Sequence, residues 1–74
     1  MLFRSAASFE DGVEAAQNGD FDTVLRIWTP LAERGDMEAQ AGLGMMYYSG
    51  TGVQQNYVQA ARWFRKSADR KSVV

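Results

Sequence analysis

Apolar side chains recur at three- and four-residue steps through four successive segments, and none of these segments shows the strict alternation of a half-buried strand. The spacing predicts an all-α chain. A first helix from Ser5 or Ser8 to Gln17 places Phe9, Gly12, Val13, Ala15 and Ala16 on its apolar side, and Asn18-Gly19 supplies the stop. Asp20 opens a second helix whose Phe21, Val24, Leu25, Ile27, Trp28 and Leu31 form the widest apolar stripe, closed by Gly35. Asp36 caps a third helix, Met37 to Ser49, with Ala39, Leu43, Gly44, Met46 and Tyr47 on one face and Gly50 at its end. After the connector Gly50 to Gln55, Asn56 caps a fourth helix reaching about Ser72, with Tyr57, Ala60, Ala61, Trp63, Phe64 and Ala68 as its stripe.

Two further expectations concern packing. Pro30 lies inside the second helix, where it removes a backbone hydrogen bond, so a kink or a local 3₁₀ turn is expected there. The rings of Trp28, Tyr47, Tyr57, Trp63 and Phe64 are expected to fill the wedges between paired helices.

The inventory of reactive groups narrows the chemistry sharply. The 74 residues include no histidine and no cysteine, so imidazole bases, thiol nucleophiles, disulfides and the usual zinc ligand sets are absent. The serines have no histidine to activate them, and the carboxylates sit where helix N-termini are stabilised by negative charge. Gly50-Thr51-Gly52 lacks the lysine and hydroxyl that complete a phosphate-binding loop. The expectation is therefore no catalytic residue, no metal and no cofactor. No apolar run approaches the roughly 18 residues of a membrane span, so no membrane partner is expected. Residues 1–8 are too short for a secretory signal, which makes the chain cytoplasmic if Met1 is native, and periplasmic or secreted if a leader was removed upstream.

Sliding the chain against itself exposes a repeat. At an offset of 36, Asp20 meets Asn56, Phe21 meets Tyr57, Arg26 meets Arg62, Ile27 meets Trp63, Trp28 meets Phe64, Ala32 meets Ala68 and Arg34 meets Arg70. For the preceding helices the best offset is 32, which aligns Gly12 with Gly44, Val13 with Met45, Ala15 with Tyr47 and Ala16 with Tyr48; the difference is the insertion Gly50 to Val53. The unit is a helix pair, present twice. Ala39, Leu43-Gly44, Tyr47, Gly50-Thr51-Gly52-Val53, Asn56, Tyr57, Ala60, Trp63-Phe64 and Ser67-Ala68 resemble one full Sel-1-like repeat, a relative of the tetratricopeptide repeat. Residues 9–36, with Gly19-Asp20, Trp28 and Pro30 to Ala32, resemble the more divergent first repeat of bacterial members. Lys71 stands where the family ends a repeat with glycine. The resemblance implies a short α-α superhelix, a tetratricopeptide-like solenoid of two antiparallel helix pairs. It would form one domain over residues 1–74, with a divergent repeat at about 5–36 and a full repeat at about 37–72.

It also implies a function, that of a scaffold or adaptor for a protein or peptide partner. The concave face implied by the related tetratricopeptide geometry comprises Phe9, Val13, Ala16 and Gln17 from the first helix and Glu38, Ala41, Met45, Tyr48 and Ser49 from the third. Within it Met45 and Tyr48 combine an adaptable apolar surface with a polar handle. Charge adds a second candidate surface. Net charge is −1, yet residues 1–38 hold three basic and eight acidic side chains while residues 39–74 hold five basic and one acidic. That polarity suits end-to-end self-association through Arg62, Arg65, Lys66 and Arg70, giving a homo-oligomer. The alternatives are a nucleic-acid-binding adaptor using the basic last helix, and the N-terminal part of a longer repeat protein.

Overall fold

The computed structural model describes residues 7–71. Among them are four helices and no strand: α1 (Phe9–Gln17), α2 (Phe21–Glu33), α3 (Met37–Ser49) and α4 (Tyr57–Lys71). The expected starts at Ser5 and the end at Ser72 lie outside the described residues.

Each start has a local cause. The Asp11 carboxylate turns back to accept the Ser8 backbone N–H at 2.8 Å. Asp20 accepts from the Thr23 N–H at 3.3 Å and from the Thr23 hydroxyl at 2.7 Å. Asp36 accepts from the N–H groups of Glu38 and Ala39 at 2.9 and 3.3 Å, and Asn56 from that of Gln59 at 3.1 Å. Apart from the Thr23 hydroxyl contact, each bond satisfies a backbone N–H that the helix start leaves without an intrahelical partner. At the other end of α3, Gly50 adopts φ +73°, and Gly52 in the connector adopts φ +75°. A side chain at either would be strained, and at Gly52 a Cβ would also stand 2.6 Å from that of Phe21.

Helix α2 runs through Pro30 as α-helix to Glu33, without the expected 3₁₀ turn. Pro30 and Arg26, whose carbonyl loses its intrahelical partner, are both exposed, so the proline sits on the solvent side of the helix. The Pro30 carbonyl still accepts the Arg34 N–H at 3.1 Å, so the proline removes a donor from the ladder but not an acceptor.

Packing follows chain order, α1 on α2, α2 on α3 and α3 on α4, giving an all-α, tetratricopeptide-like arrangement of two antiparallel pairs. Val24, Trp28, Ala32, Ala39, Leu43 and Met46 form the buried centre. Trp28 organises it. Its indole stacks on Phe9 with ring centroids 4.8 Å apart and donates Nε1–H to the Phe9 carbonyl at 3.0 Å. Gly12 of α1 and Gly42 of α3 lie against opposite ends of the same indole. The second pair repeats the device, with Gly44 of α3 against the ring of Phe64. Two rings expected inside their wedge are instead at the surface: Tyr57 is 61% exposed and Phe64 38%. Ala68 is exposed as well. The apolar stripe of α4 is wide enough to reach beyond α3, and no described element covers its far side.

Candidate functional site

Two concavities lie on different faces. The first is a cleft of about 310 Å³ whose floor is Val24 and Trp28 of α2 with Met46 of α3. Ala16 and Phe21 border it on one side, and Gly42, Met45, Tyr48, Ser49 and Thr51 on the other. Gly42 opens the cleft, because a Cβ there would fall 2.6 Å from the six-membered ring of Trp28.

Met45 and Tyr48 form the outer wall, 64% and 60% exposed. Tyr48 is braced from behind: its ring lies 5.4 Å from that of Tyr57, and Gln55 Nε2 donates to the Tyr48 carbonyl at 2.9 Å and to the Tyr57 hydroxyl at 3.2 Å. The connector between α3 and α4 thus holds the wall in place. The rim carries two hydroxyls. Ser49 Oγ donates to the Met45 carbonyl at 2.9 Å and lies 2.7 Å from Thr51 Oγ1. Apart from the tyrosine phenol, the lining holds no ionisable group. Such a surface can hold apolar side chains and make one or two polar contacts at its edge.

Of the residues expected on the concave face, Met45, Tyr48, Ala16 and Ser49 line this cleft. Phe9 and Val13 are half-buried and packed against the core. Gln17 and Glu38 are exposed outside the cleft, and Ala41 is half-buried beside it. Phe21, Gly42 and Thr51 were not expected there. Gly42, Met45 and Ser49 follow one another by three and four residues, so a face of α3 shared by all three was the available signal.

The second concavity, about 420 Å³, lies along the outer side of α4 and is lined by Tyr57, Val58, Ala61, Arg62 and Arg65. Of the basic residues expected to make an end contact, Arg62 and Arg65 lie here. Lys66 is turned onto Trp63, its Nζ 5.1 Å from the ring centroid. The Arg70 side chain lies outside what the structure describes. Among the described residues no three acidic side chains come together to hold a metal ion.

Capped antiparallel helix pairs stacked in chain order, with glycine-on-ring contacts recurring from pair to pair, define a helical repeat of the tetratricopeptide class. The particular kind follows from comparison: residues 38–72, which hold nearly all of α3 and α4, match the model of the Sel1 repeat. A sel1-like repeat-containing protein of Acanthamoeba polyphaga mimivirus is 44% identical over 41 residues, which cover 55% of this chain and 7% of that relative. The chain therefore spans a small part of the relative's length. No solved structure gives a significant match. Sel1 repeats generally mediate protein–protein interaction and are a non-catalytic repeat type.

Proposed function

We propose that this chain is a protein-binding scaffold module and that the cleft between α2 and α3 takes a short segment of a partner protein through one or two bulky apolar side chains. The observation that carries this reading is the pairing of Met45 and Tyr48 as an exposed, braced wall over an apolar floor. Methionine adapts its shape to different side chains, and a tyrosine held in one orientation loses little freedom on contact. We further read residues 5–36 as a divergent first copy of the unit completed by residues 37–72, because Gly12 on Trp28 and Gly44 on Phe64 are the same contact made twice.

Selection from a random peptide library against the immobilised chain tests the cleft. Enriched peptides should share a bulky apolar anchor and should lose binding to a Met45→Glu, Tyr48→Ala variant that keeps its helical content. Equal binding to that variant would place the interaction elsewhere and overturn the reading.

A further inference from the structure

The cleft between α2 and α3 is apolar within and acidic around. Its lining holds no carboxylate and no basic group, so charge reaches an occupant only from the surroundings. Residues 7–56, which supply the whole lining, carry eight acidic and two basic side chains. None of α1, α3 and the connector 50–56 contains a basic residue. On α2, Arg26 is two residues from both Val24 and Trp28, about 200° round the helix, and therefore on the face opposite the floor. Arg34 follows the end of α2, six residues beyond Trp28. Two carboxylates bracket the cleft along its length. Asp20 is exposed and immediately precedes Phe21 on the border; the N–H and hydroxyl of Thr23 that it accepts from are both neutral. Glu38, also exposed, lies on the face of α3 that carries Gly42, Met45 and Ser49, one turn before Gly42. The last turns of α1 and α3 border the cleft through Ala16 and through Tyr48 and Ser49, and neither holds a basic residue to offset the negative pole of its helix.

A negative field around an apolar mouth discriminates between occupants that the floor alone would treat alike. Given the cleft as the partner-binding site, we infer that its occupant is a basic segment of a partner protein, a bulky apolar anchor with lysine or arginine on one or both sides. The anchor fills the space over Val24, Trp28 and Met46, and the flanking cations lie toward Asp20 at one end and Glu38 at the other. Along α3 the step from Ser49 to Glu38 is about 16 Å, the reach of about five extended residues, so one short segment spans both. The aliphatic stems of lysine and arginine cover Met45 and Tyr48 while their charged heads stay in water. A segment with the same anchor between acidic residues meets like charge at both ends and is turned away.

Peptides selected from a random library at about 0.1 M salt test the proposal. Those enriched should carry lysine or arginine within a few residues of the apolar anchor and be depleted in aspartate and glutamate. An enriched peptide should bind the double variant Asp20→Asn, Glu38→Gln about fivefold more weakly at that salt, and about as well as the wild type near 1 M, where the charges are screened. Asparagine caps a helix as well as aspartate and both positions are exposed, so this variant should keep wild-type circular dichroism. A second variant, Met45→Ser with Tyr48→Ala, removes the wall without changing charge and separates the two ways of failing. Peptides that lose binding to it yet carry neutral or acidic flanks, or that bind the charge variant unchanged, overturn the basic occupant and leave the cleft standing. Basic peptides that bind the wall variant undiminished, or a library that yields no binder, overturn the cleft and the occupant together.

Discussion

Replacing Gly12 with alanine sets two opposing effects against each other at the centre of the first pair. Alanine in a helix interior is favoured over glycine by about 1 kcal/mol, so a roomy site would gain stability. Gly12 is not roomy: the added methyl would collide with Nε1 of Trp28 and stand 2.6 Å from its Cδ1. The indole cannot swing away freely, because it is 7% exposed, stacked on Phe9, bonded to the Phe9 carbonyl and bounded by Gly42 at its other end. Overpacking of this kind costs about 1–3 kcal/mol, and a lost indole hydrogen bond adds about 1 kcal/mol. The net expectation is a loss of about 2 kcal/mol, a large part of the roughly 4–11 kcal/mol typical of a chain this size. In thermal denaturation that is a fall of roughly 8–16 °C. Gly44→Ala is the internal control. Its methyl would meet Phe64 at 2.7 Å, but that ring is 38% exposed and can tilt into solvent. The propensity gain should then nearly offset the displacement, leaving a change within about 1 kcal/mol. If Gly12→Ala proves as stable as the wild type, or costs no more than Gly44→Ala, the role given to the Trp28 clamp is refuted.

Other outcomes follow from the same contacts. Gln40 is buried, with Oε1 lacking a protein partner, while the Ala32 carbonyl that receives its Nε2 also accepts the Gly35 N–H at 3.0 Å. Gln40→Met should therefore be neutral or stabilise urea unfolding by up to about 1 kcal/mol, since it removes a half-satisfied amide without orphaning its acceptor; a loss above about 2 kcal/mol would contradict this. Asp36→Ala removes the cap of α3 and should cost about 1 kcal/mol in the same assay, unlike alanine at exposed Glu38, which should stay within about 0.5 kcal/mol.

How far the residues alone carried the structure depends on what marks each feature. Helix α3 was legible residue for residue because Asp36 opens it and Gly50, with its positive φ, closes it. Trp28 was legible as core because its stripe is the widest in the chain. Tyr57 and Phe64 were not, because periodicity identifies an apolar face without saying which element covers it. Their exposure emerges only when α4 is compared with α2. Phe9 was expected on the binding surface, yet it is the ring on which Trp28 stacks, a contact 19 residues away in sequence that no local spacing encodes. Met45 and Tyr48 were expected at the surface because the related tetratricopeptide geometry puts their positions on the concave face, and both line the cleft. The floor beneath them was missed because Val24, Trp28 and Met46 serve core and cleft together.

The proposed partner-binding cleft is tested most directly by nuclear magnetic resonance. An isotope-labelled chain would be titrated with a peptide selected from the library, following the methyl group of Met45 and the backbone signals of Ala16, Gly42, Tyr48 and Thr51. These signals should move together and saturate, while those of α4 beyond Ala61 stay still. Shifts concentrated along Val58, Arg62 and Arg65, or none in the cleft, would contradict the assignment of that cleft as the partner-binding site.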